Sequence, residues 1–138
     1  MWDAPTVQRL EGDRLHLQHG PIDVVLRAWG ASSAVRDAYD AVVTRFGAIL
    51  PGLAGELTEL RRPMSDRPQV TGPVALRMLA ACRPHAGIFV TPMAAVAGAV
   101  ADELMDCMVE AAPLDRAFVN DGGDIAIHLT EGETMEIA

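Results

Sequence analysis

The segment Asn120-Asp121-Gly122-Gly123-Asp124 carries residue types suited to holding an anion. Adjacent glycines reach positive φ and let backbone amides approach a ligand, as in the amide nests that cradle a pyrophosphate. Asn120 brings amide donors and a carbonyl acceptor, and Asp124 brings a carboxylate for a hydroxyl or a metal. The same five residues suit a plain hairpin, because Asp-Gly and Gly-Gly are favoured in tight β-turns. A second feature of this kind is Val90-Thr91-Pro92-Met93-Ala94-Ala95-Val96-Ala97-Gly98. A capping Thr91, a proline at the first helical position and small side chains leave a helix N-terminus open to close approach, where unpaired amides favour negative charge. Small residues equally serve tight packing of a helix on a sheet. Each feature follows a short apolar strand candidate, so neighbouring strands would let the two converge.

Other constellations carry less. Asp102 and Asp106 are four apart on one helical face and could share a divalent cation, although a solvated acidic face explains them as well. Cys82 and His85 have a C-x-x-H spacing without a second ligand pair, which excludes a zinc site of the usual kind. His16, His19 and His128 fall in strand candidates. There is no Gly-x-Ser-x-Gly elbow, Walker A loop or Gly-x-Gly-x-x-Gly turn. All 11 basic residues are arginine, so lysine Schiff bases, lysine general bases and P-loop lysines are excluded. The arginine and the 22 alanines also fit a GC-rich genome.

The elements that must position these residues can be read from periodicity. Leu15, Leu17 and His19 alternate with His16 and Gln18, Gly20-Pro21 turns the chain, and Ile22–Leu26 resumes an extended run closed by Trp29-Gly30. Ser32 or Ser33 caps a long amphipathic helix whose apolar face runs from Val35 through Phe46 to Leu53, with Pro51-Gly52 as its end or kink. A short helix carries Leu53, Leu57 and Leu60, and residues 61–69 form a loop. Thr71 caps a helix starting near Pro73, with Val74, Met78, Leu79 and Cys82 as its buried stripe. Gly87-Ile88-Phe89-Val90 is a short strand candidate, followed by a helix from Thr91-Pro92 to about Met108. Arg116–Asn120 and Ile125–Leu129 form a hairpin about the glycine turn, and residues 131–138 turn again towards a further strand. The fold class is α+β, an antiparallel or mixed sheet packed with helices, in one domain over residues 1–138.

A chain of 138 residues, half of them hydrophobic, is long enough to bury a continuous core. Its net charge of −8 argues against nucleic acid and polybasic membrane binding, since the sequence shows no long run of clustered cations to neutralise a phosphate backbone. Two cysteines do not make a disulfide framework, and the N-terminus lacks the cationic and apolar regions of a signal peptide. The apolar stretch Ile88–Ala101 is too short to span a bilayer. A cytoplasmic location is the expectation.

Three stretches of this sequence together resemble the ApbE-like superfamily, whose characterised members are FAD:protein FMN transferases. They are Arg83-Pro84-His85 leading into Phe89–Asp102, the hairpin Arg116–Ala126 with its Asn-x-Gly-Gly-Asp, and His16–Asp23. The resemblance is strongest to an uncharacterised cytoplasmic branch and covers only the first part of the family pattern, so the sheet is expected to be incomplete at the C-terminal end. It implies a flavin-nucleotide site lined by Asn120, Gly122, Gly123 and Asp124, with Thr91 and Met93 adjacent. FAD is the implied cofactor, and magnesium would neutralise charge on a leaving phosphate. No catalytic residue and no metal ligand is named by it. The first expectation is therefore a protein that binds FAD, or another nucleotide or anionic small molecule, with transferase-like activity open. The second is a non-catalytic structural or interaction protein, forming a homo-oligomer through its sheet edge.

Overall fold

The computed structural model describes residues 2–136. Five strands form one sheet in the order β1-β2-β3-β4-β5, every neighbouring pair antiparallel. They are β1 (Thr6–Arg9), β2 (Leu15–His19), β3 (Ile22–Trp29), β4 (Arg116–Asp121) and β5 (Asp124–Leu129). Between β3 and β4 the chain makes four helices: α1 (Ser32–Gly55), α2 (Leu57–Leu60), α3 (Pro73–Cys82) and α4 (Val96–Ala111). The fold is α+β, as the alternation and helical periodicities predict, and its sheet is purely antiparallel.

The sheet's period of two decides where the core sits. Leu15, Leu17, Ile22, Val24, Leu26, Ala28, Ala117 and Val119 point to one face and are buried there. Helices α1 and α4 cover that face and pack on each other. Ala38, Val42, Phe46, Ile49, Leu50 and Leu53 form the buried stripe of α1, while Arg36, Asp37 and Asp40 are exposed. Burying a side chain the size of Phe46 contributes about 2–3 kcal/mol. The opposite face is uncovered by helices, and β5 is a free edge on which Ile125, Ile127 and Leu129 remain over 40% exposed.

Several local expectations need correction. Helix α1 begins at Ser32 itself, after Ala31, and no side chain caps it; neither Ser32 nor Ser33 is the cap. It also runs through Pro51 rather than ending there, because Leu50 and Leu53 on either side are both buried in the core while the proline is exposed. The start of α3 is capped by Gly72 backbone, and Thr71 is held instead by Glu56, whose Oε1 accepts from the Thr71 N–H at 2.6 Å. Gly87–Val90 forms no strand. With no sheet edge beside it, the run stays a turn, and Ile88 and Phe89 are 69% and 83% exposed. The segment from Thr91 enters α4 through a single 3-10 turn, Pro92–Ala95. After Leu129 the chain turns without forming a sixth strand as far as Glu136; Ile137 and Ala138 lie outside the described residues.

Candidate functional site

The glycine turn is the β4–β5 hairpin connection. Gly122 and Gly123 have φ of +61° and +100°, and the Gly123 N–H donates to Asn120 Oδ1 at 2.9 Å. A β-carbon at either glycine would meet nothing within 4 Å. Their requirement here is therefore positive φ, not close approach of another backbone. Asp124 is exposed at the same turn. Thr91 precedes the 3-10 turn, and its carbonyl accepts from the Ala94 N–H and from the Cys82 thiol.

Alternation along β4 sends neighbouring residues of this motif to opposite faces. Asn120 joins Trp29, Arg116, Phe118 and Ile125 in a cleft of about 550 Å³ on the uncovered face, where the tail lies over the sheet and Arg116 donates to the Thr134 carbonyl at 2.8 Å. Asp121 points the other way, with Ala117 and Val119, to the helical side. There it meets Met93 at a cavity of about 360 Å³. The structure thus brings one sequence-predicted residue, Met93, to a cavity shared with the glycine motif, through Asp121. It leaves Gly122, Gly123 and Asp124 at the exposed turn and Asn120 on the opposite face.

This second cavity is lined mainly by apolar side chains of α1, α2 and α4, among them Leu53, Leu57, Val96 and Val100. Trp2 and Pro21 complete its wall. Gly20, at φ +55°, is required there twice over: a β-carbon on it would stand 2.7 Å from the Trp2 ring and 2.9 Å from Leu50. The charged groups of the lining are Arg61 and Asp121. Burial, followed by the nearby carboxylates of Asp124 and Asp23, pushes the Asp121 carboxyl up to about 6. An apolar cavity of this size with a few polar groups and a perturbed carboxyl has the make-up of a small-molecule site. Neither Asp121 nor Arg61 stands out by residue type. The readable signal was register: Ala117, Val119 and Asp121 share one parity, so a carboxylate was due on the buried face.

Among the described residues no three His, Cys, Asp or Glu side chains gather as a metal-binding group. Asp106 is instead bound to Arg77 at 2.6 Å, and Glu103 bridges Arg45 at 2.8 Å and Arg77 at 3.0 Å. Cys82 is buried and its thiol is raised by desolvation, which makes it a poor nucleophile. His16 pairs with Asp23 at 2.7 Å on the sheet, and His85 is exposed. No described helix is long and apolar enough to cross a membrane.

No curated protein and no solved structure matches the chain. One family model does, and it overturns the resemblance to the ApbE-like FMN transferases, because it describes a different family. The Asn-x-Gly-Gly-Asp segment is a short hairpin motif whose geometry here is met by turn chemistry alone, so by itself it carries no family assignment. The match extends over residues 7–138, nearly the whole chain, and by it the protein belongs to the family described as AbpE bacteria.

Proposed function

We propose that this protein binds a small amphipathic molecule in the cavity between α1, α2 and α4, with Asp121 and Arg61 meeting the polar part of the ligand. The observation that carries this reading is the cavity itself: about 360 Å³, walled by leucine, valine and methionine, with a carboxyl group in its lining. Water in such a cavity finds few partners, so an apolar ligand body gains by displacing it. Asp121 gives selectivity, accepting from an N–H or O–H of the ligand as a carboxylate and donating as a carboxylic acid at mildly acidic pH. Arg61 is exposed and suits an acidic group at the mouth. A binding role without catalysis fits a site that holds no nucleophile paired to a base. A cytoplasmic setting accords with two unpaired cysteines, Cys82 and Cys107.

The test is titration with the fluorescent probe anilinonaphthalene sulfonate, whose apolar rings and single sulfonate match the lining. Saturable binding at one site per chain is expected, with loss of at least tenfold in affinity in Ala97→Phe, where the ring fills the cavity. An Ala97→Phe protein that keeps its circular dichroism and still binds the dye like the parent would overturn the reading.

A further inference from the structure

Among the 11 arginines, three are held in ion pairs and three others gather in one cleft. Arg45, Arg62 and Arg77 are neutralised by Glu103, Glu59 and Asp106. Arg9, Arg27 and Arg36 form no ion pair among the described residues, yet all three line one surface cleft of about 330 Å³. In a chain of net charge −8, carboxylates are plentiful, and convergence of three unpaired guanidinium groups carries a mutual repulsion that an anion between them would relieve.

The fold builds this cleft at a specific place. Pairing of β2 with β3 stops at Leu15↔Leu26, while β3 continues to Trp29 beside β4. The unpaired side of β3 is closed by Tyr39 of α1, whose hydroxyl accepts from the Ala28 N–H at 3.0 Å and donates to the Asp13 carbonyl at 2.6 Å. Arg9 enters from β1, Arg27 from β3 and Arg36 from the first turns of α1. The guanidinium of Arg27 lies 4.2 Å from the centroid of the Trp29 ring, a cation–π contact that Arg116 also makes at 4.3 Å. The Arg27 Nε is fully buried and has no acceptor. Buried donors are nearly always paired, so this unpaired N–H leaves positive charge uncompensated beside the cleft. The beginning of α1 borders the same cleft at Ser32 with no capping side chain and no acid in its first turn.

We propose that this cleft binds the phosphoryl group of a small molecule. Three arginines less the one carboxylate of the lining, Asp13, leave a charge of +2, which matches a phosphate dianion better than a single carboxylate. Planar guanidinium forks suit the several oxygens of a phosphoryl group. The cleft shares no lining residue with the apolar cavity, so the proposal stands apart from the function proposed above.

Calorimetric titration of the whole chain with inorganic phosphate, methyl phosphate and acetate at matched ionic strength tests it. One phosphate site per chain is expected, weakened at least tenfold by Arg36→Ala, a change on an exposed helical position that leaves the fold intact by circular dichroism. Tighter binding of methyl phosphate assigns the site to an organic phosphomonoester, and tighter binding of inorganic phosphate assigns it to the free ion. Ala97→Phe should leave this binding unchanged. Absence of saturable phosphate binding, acetate binding as tightly, or unchanged phosphate affinity in both Arg36→Ala and Arg9→Ala would overturn it.

Discussion

Asp121 shows how one side chain answers to its surroundings. Its carboxyl is pushed up to about 6 by burial first and by Asp124 and Asp23 next, while Arg61 is the cation in the same cavity lining. A carboxyl raised in the folded state makes the fold bind a proton that the unfolded chain releases at lower pH. That contribution is fully present below about 3.8 and is lost as pH rises through about 6. Asp121→Asn is therefore expected to leave stability unchanged at pH 3.5 and to raise it at pH 7.5 by about 1–2 kcal/mol, discounted for the solvent-facing part of the group. Urea midpoints at the two pH values check this, and an equal effect at both would contradict it. Legibility at this scale was uneven. The Asn120 to Asp124 segment was readable as a turn because its preferences are local. Parity put Asp121 on the buried face, but that a cavity opens beside it was not readable, since that depends on the packing of α1 and α4 against β4.

At the scale of elements, the helical layer is held by charge as well as by apolar packing. Glu103 of α4 is 14% exposed and receives Arg45 from α1 and Arg77 from α3. Removing its charge leaves two guanidinium groups facing each other with reduced hydration. Glu103→Gln should cost about 1–2 kcal/mol in urea unfolding, because Arg45 loses its ion pair while Arg77 keeps only Asp106. A loss below a few tenths would show that solvent screens the pair completely. Helices α1, α3 and α4 were legible from their 3.6-residue stripes, but α1, read as about five turns, extends past Pro51 to 24 residues. The meeting of Arg45, Arg77 and Glu103 was not, because the residues lie up to 58 positions apart and nothing local couples them. The failed strand at Gly87–Val90 has a related cause. Four apolar residues are compatible with extended backbone, but a strand exists only where a neighbour supplies hydrogen bonds.

For the whole molecule, Tyr39 ties its parts together. One hydroxyl joins α1 to the open side of β3 and to the turn before β2, and the ring is only 4% exposed. Tyr39→Phe keeps the ring and strands the Ala28 N–H without a partner, so a loss of about 2 kcal/mol is expected by chemical denaturation. The same variant should weaken phosphate binding at the arginine cleft, whose wall it forms. Intact affinity alongside lowered stability would separate the two roles.

By itself, the sequence determined the class of fold, because alternation and helical periodicity are written residue by residue and need only a core to fall into. It also determined the exclusion of lysine chemistry and the hairpin turn, which depend on residue identity and local φ. Tertiary structure alone decided which groups meet: Asp121 with Met93 and Arg61, and Arg9 with Arg27 and Arg36. Those encounters depend on how far β3 outruns β2 and on where α1 crosses the sheet. Such distances are set by packing among residues far apart in the chain, and no spacing along it records them.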